Sequence, residues 1–184
     1  MLQPAWYYKE VLVPELVDIQ HELIKVLPQL VDPTEEVTFF YIDKEIIAQS
    51  SPSYVKMLQR MNLYNRWSYS AIVTTSGGKE FPIHVDSIGW EDRCYGLNLP
   101  LVNCENSYTV WYDAKIIDKL VTEEYDRRHS GRFCVAEGAT EVCRMPATTT
   151  AWVNTSIPHR PETETTELRA IISARFSPEV HDYL

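Results

Sequence analysis

The chain has 184 residues, is 45% hydrophobic and carries a formal net charge of -9. That length suits one domain with a real core, residues 1–184, and is short for two. The acidic balance argues against a broad nucleic-acid-binding face, which is built from clustered lysine and arginine. No stretch reaches the apolar length of a membrane helix, and "MLQPAWYYKE" has neither the basic start nor the apolar run of a signal peptide, so a cytoplasmic protein with no membrane partner is expected. Cys94, Cys104, Cys134 and Cys143 form no Cys-x-x-Cys pair. They are expected to be reduced and mostly buried.

In chain order, "PELVDIQHELIKVLPQL" spaces Leu16, Ile19, Leu23, Val26 and Leu27 at three- and four-residue steps, which predicts an amphipathic helix with Pro14 in its first turn. "EVTFFYIDKEII" is β-branched and aromatic and predicts a strand. "SPSYVKMLQRMNLY" opens with serine and proline and predicts a second helix. Residues 1–66 are thus a mixed helix and strand support.

From Trp67 the pattern changes to short strands broken by turn residues. "RWSYSAIVTT" precedes Gly77-Gly78, a hairpin signal. "RCYGLNLPLVN", "SYTVWYDA", "TEVCRMP", "TTTAWVNTSI" and "ELRAIISARFS" follow. Seven or eight strands at this spacing predict a mainly β jelly roll over 67–178. Residues 116–138 are charged and mixed, and fit an excursion from the barrel, either a lid or a solvated surface helix.

The chemistry begins at "FPIHVDSIGW". His84 and Asp86 are two apart at the end of an alternating segment, so an imidazole and a carboxylate face one point. A third ligand must come from elsewhere. His21 belongs to the first helix, His129 to the charged run and His181 to the tail. His159 follows "AWVNTSIP", the end of an apolar strand, with Pro158 fixing its approach. Two histidines and one carboxylate are the facial ligand set of non-haem Fe(II), which leaves adjacent positions open.

Ten residues on lies Arg169, in "ELRAIISARF". Alternation sends Arg169, Ile171, Ser173 and Arg175 to one strand face, which either looks into the barrel, where a guanidinium is suited to hold a carboxylate, or lies on the surface with its arginines paired to glutamates. The ordered set His84-x-Asp86, His159 and Arg169 resembles the Fe(II)- and 2-oxoglutarate-dependent oxygenases. "YGLNLPLVNCENSYTVWYD", "NTSIPHRPE" and the closing "ARF" are similar to small oxygenase-like proteins, many of them encoded by phages and marine microbes. The ten-residue step from histidine to arginine is similar to that of aspartyl/asparaginyl β-hydroxylases.

The resemblance implies a double-stranded β-helix, cupin-like in shape, with the amino-terminal helices packed on the barrel. It implies Fe(II) on His84, Asp86 and His159, and 2-oxoglutarate as cosubstrate with its distal carboxylate on Arg169 or, as the alternative, Arg175. It further implies hydroxylation of an unidentified peptide, amino acid or small molecule by O2, with release of succinate and CO2. Tyr69, Asn98, Tyr108 and Trp152 are candidates to line the cavity, Tyr69 and Asn98 as cosubstrate contacts, and Trp90 and Arg93 are candidates for its rim. Two other readings stand beside this one: a catalytically silent jelly-roll binding module, and a metal-dependent cupin enzyme that does not use 2-oxoglutarate.

Overall fold

A computed structural model describes residues 6–30, 37–75, 81–86, 95–120 and 132–176. The elements run β1 (Tyr8–Glu10), α1 (Leu16–Leu30), β2 (Val37–Ile42), α2 (Lys44–Ser50), α3 (Pro52–Arg60), a 3-10 turn (Tyr64–Arg66), β3 (Trp67–Thr75), β4 (His84–Val85) and β5 (Tyr95–Val102). They continue with β6 (Ser107–Asp113), β7 (Ile116–Leu120), β8 (Arg132–Cys134), β9 (Thr140–Pro146), β10 (Ala151–Asn154), β11 (His159–Thr163) and β12 (Arg169–Phe176). The strands form two six-stranded sheets, one in the order β1-β10-β5-β12-β3-β2 and the other β7-β8-β4-β11-β6-β9. Every pairing among the described residues is antiparallel. Two such sheets with few helices make the mainly β jelly roll, or double-stranded β-helix.

β12 explains how the first sheet is used. All eight of its residues are buried, because both of its faces are covered. Ala170, Ile172 and Ala174 join Leu97, Leu99 and Trp152 in one cluster with Ile19, Leu23, Ile47, Tyr54 and Leu58 from the helices. The alternate residues Arg169, Ile171, Ser173 and Arg175 therefore turn to the interior, toward the second sheet. The helices are fixed to one another by polar contacts. Ser51 caps α3 by accepting the Tyr54 N–H, and Glu22 of α1 accepts from the Ser51 hydroxyl and from both the N–H and the hydroxyl of Ser53.

Several sequence expectations need correction. The strand expected through "DKEII" stops at Ile42, and these residues open α2, because the strand-forming aromatics end there and lysine and glutamate favour a helix. Pro14 lies before α1, which begins at Leu16, while Pro28 falls within its last turn. Trp152 does not line the cavity; it packs on the helix side of its sheet against Phe176. Tyr108 also turns outward, with the Arg144 guanidinium 4.7 Å above its ring. Both lie one position out of phase with the interior residues of their strands. The excursion 116–138 opens with β7 and contains β8, so its described ends belong to the second sheet, where β7 pairs with β8 and β8 with β4. Residues 121–131 between them lie outside the described residues, as do Gly77, Gly78, Trp90, Arg93, His129 and His181.

Leu23 is fully buried where α1 meets the first sheet. Leu23→Ala is expected to cost about 2–5 kcal/mol, measured by urea denaturation, through lost burial and the cavity left behind.

Candidate metal centre

β4 is only two residues long, yet it pairs on both edges and sets the site's register. His159 of β11 is the direct cross-strand partner of His84, so both side chains emerge on one face, with ring centroids 4.6 Å apart. Asp86 follows just beyond β4. Its N–H donates to the Thr155 carbonyl at 2.9 Å, which ties this end of β4 to the turn after β10. One ligand atom from each of His84, Asp86 and His159 lies within 4.8 Å of the others.

Backbone carbonyls decide which ring nitrogens face this point. His84 Nδ1 lies 2.9 Å from the Pro82 carbonyl oxygen, and His159 Nδ1 lies 2.9 Å from that of Ile157. A carbonyl can only accept, so each Nδ1 carries a proton and each ring turns its Nε2 toward the shared point. His84 Nε2 stands 3.3 Å from Asp86 Oδ1. The donor set of two imidazoles and one carboxylate fits a divalent metal.

The charges are set by surroundings. Burial, followed by repulsion from His84, lowers His159 to about 4, although Asp86 pulls the other way. Burial alone would raise Asp86; Arg175 chiefly, then the two histidines, outweigh it and hold the carboxyl well below the usual range. Around neutral pH the site therefore offers a neutral His159 and an ionised Asp86, the forms that bind metal.

Arg175 grips the carboxylate from behind. Its Nη2 donates to Asp86 Oδ2 at 2.8 Å and its Nη1 to Thr155 Oγ1 at 3.0 Å. Oδ2 is thereby engaged, and Oδ1 is left toward the histidines. Gly96 makes room for this guanidinium. A Cβ at Gly96 would lie 2.8 Å from Ser173 Oγ and 3.2 Å from Arg175 Cζ.

Arg169, at the other end of β12, is 1% exposed, and its Nε and Nη1 have no hydrogen-bond partner. Burial disfavours its charge, and the polar group that offsets this is the Cys104 thiol, not a carboxylate. On the same interior face, Asn98 Oδ1 and Ser173 Oγ are buried without partners, and these two residues are cross-strand neighbours. Tyr69 is the neighbour of Arg175 in the register and meets Tyr41 edge to face. Thus His84, Asp86 and His159 come together with Arg175, while Arg169 and Asn98 share the interior face. Sequence reasoning passed over Thr155 and Gly96. A lone glycine within a strand is itself a sign of close approach, so Gly96 was findable; Thr155 acts through register and left no signal.

No family model matches the chain, and neither does any curated protein. Among solved structures it is similar to oxalate decarboxylase from Bacillus subtilis. A tryptophan-to-tyrosine variant of that protein is 11% identical with a TM-score of 0.41, over 83% of this chain and 29% of the other. The form solved at pH 4.6 is 12% identical with a TM-score of 0.40, over 80% and 28%. A third structure of that protein, from work on its Mn(II) centres, is 11% identical with a TM-score of 0.41, over 83% and 29%. The chain spans less than a third of the length of these proteins.

His159 gives the metal-free protein a defined acid sensitivity. Its folded pKa lies below the ordinary value of 6.5, so the unfolded state takes up the proton first as pH falls. The stability it confers is complete above 6.5 and is lost between there and about 4, on the order of 3 kcal/mol in all. Asp86, whose folded pKa is depressed, adds its own loss only below its unfolded value of 3.8. Denaturation of metal-free protein across this window is expected to show the slope, and His159→Phe is expected to flatten it.

Proposed function

We propose that the protein is a mononuclear metal-dependent enzyme whose ion is held by His84, Asp86 and His159, and that it takes Fe(II) and 2-oxoglutarate as an oxygenase. The observation that carries the finer reading is Arg169, a guanidinium buried inside the barrel with no carboxylate paired to it among the described residues. An uncompensated buried charge is costly, so the interior is built to receive an anion. When bound, Fe(II) and 2-oxoglutarate supply the oxidation of a substrate C–H group by O2, with succinate and CO2 as coproducts.

The roles of the chain's own residues follow from their partners. His84 and His159 present Nε2, fixed by the backbone carbonyls behind them. Asp86 would offer Oδ1 to the ion, since its Oδ2 is held by Arg175. Because Arg175 is committed to Asp86, the cosubstrate's distal carboxylate falls to Arg169. One carboxylate against a divalent ion and two guanidiniums leaves the interior positive, which favours an anionic ligand.

A second reading is a metal-dependent cupin enzyme that acts on a short acid without 2-oxoglutarate. It is favoured by the partnerless Ser173 hydroxyl and Asn98 carbonyl beside Gly96, close to Arg175 and remote along β12 from Arg169. The solved structures it is similar to are of an enzyme named for oxalate, a short acid, and one comes from work on Mn(II) centres.

Anaerobic titration with Fe(II) and then 2-oxoglutarate separates these readings. His84→Ala, Asp86→Ala and His159→Ala are each expected to abolish metal binding. Arg169→Ala is expected to weaken 2-oxoglutarate binding by about 30-fold or more, the loss of a desolvated charge pair, with metal affinity nearly unchanged. Metal binding with no response to 2-oxoglutarate selects the second reading. Absence of metal binding in the wild type leaves a silent module.

A further inference from the structure

We infer that Asn154 is a positioning residue through which the amino-terminal strand sets the geometry of the metal carboxylate; this rests on the reading of His84, Asp86 and His159 as a metal site. Asn154 ends β10, next to Thr155, whose carbonyl accepts the Asp86 N–H and whose hydroxyl accepts from Arg175. Displacing Thr155 therefore moves both the aspartate backbone and the guanidinium that orients its side chain.

Asn154 uses nearly every hydrogen-bonding group it has to hold this turn in place. Its N–H donates to the Tyr7 carbonyl at 2.8 Å, and its Nδ2 donates to the Trp6 carbonyl at 3.2 Å. Its carbonyl accepts the Trp111 indole N–H at 2.8 Å. Its Oδ1 accepts from both the N–H and the hydroxyl of Ser156, at 3.2 and 2.5 Å, which shapes the turn itself. Two of the five bonds reach the amino-terminal segment, one reaches the second sheet and two close the turn.

The partners are anchored in their own right. Trp6 stacks on Tyr95, the register partner of Asn154 on β5, with centroids 4.7 Å apart. Tyr8 stacks on Trp111 at 5.9 Å, and Trp111 is the register partner of His159. β1 continues along β10 to the Val11 N–H, which donates to Thr150. Residues 6–11 thus close the edge of the first sheet and tie down the end of β10 from which the turn carrying Thr155 leaves. Bonds behind a ligand are commonly worth 10- to 100-fold in metal affinity, and these act on both the backbone and the side chain of Asp86.

The test uses the full chain with Mn(II) and Co(II) as probes. Asn154→Ala is expected to lower Mn(II) affinity by about 10- to 100-fold, to alter the Co(II) visible spectrum, and to speed hydrogen exchange at the Asp86 amide in metal-free protein. Asn154→Asp keeps the Ser156 turn but loses the donor to Trp6, and is expected to resemble Asn154→Ala. Should Asn154→Ala fold poorly, Trp111→Phe deletes a single hydrogen bond to the Asn154 carbonyl and is expected to shift the Co(II) spectrum in the same direction. If wild type binds Mn(II) and the variants lower only thermal stability, with affinity, spectrum and exchange unchanged, the coupling is overturned while the metal reading stands. If wild type binds no divalent metal, the metal reading fails and this inference with it.

Discussion

Asp86 keeps its charge between two β-sheets because Arg175 reaches it at 2.8 Å. Without that guanidinium, burial would drive the carboxyl toward its neutral form, which is a poor ligand. The contact joins the last strand of the first sheet to the short strand β4 of the second, so it is both an electrostatic requirement and a clasp between layers. Gly96 is bare because the guanidinium lies over it, and Thr155 is placed where it can accept from the same arginine.

The two sheets divide the work. The first is apolar on its helix side and mixed within, where Ile171 and Val153 accompany the arginines, so one strand such as β12 supplies Ile172 to the core and Arg175 to the site. The second carries a charged outer face, where Arg144 pairs with Glu141 and Glu162, and Arg160 pairs with Glu162 and Tyr112. Exposed pairs of this sort contribute little to stability individually. Most of the favourable burial belongs to the helix-covered sheet, which leaves the second sheet to present ligands from short strands.

How much of this was legible depends on whether a feature is periodic or relational. The α1 stripe was legible because the spacing of Ile19, Leu23 and Leu27 is a local property, and all three are buried. The shared face of His84 and Asp86 was legible for the same reason. So was the common side of Arg169 and Arg175, whereas their division of labour was not, since it depends on which one meets Asp86 across the barrel. Trp152 and Tyr108 were misassigned because alternation gives two faces without saying which is interior. β11 carries Pro161 and reads poorly as a strand, yet it holds His159 opposite His84. Asn154 left no mark, because its partners at Trp6 and Tyr7 are backbone carbonyls, which any sequence supplies.

The distances along the chain between these partners have a kinetic meaning. Arg175 and Asp86 are 89 residues apart, and Asn154 and Trp6 are 148 apart. β12, which supplies Arg175, is the last described strand and sits between β3 and β5 in the middle of its sheet. A topology so dominated by remote pairings folds slowly. During synthesis the central slot of the sheet must remain open until β12 leaves the ribosome, so β3 and β5 wait with unpaired edges that favour association with other chains. The Arg175 contact that orders Asp86 therefore cannot form until β12 has entered that slot.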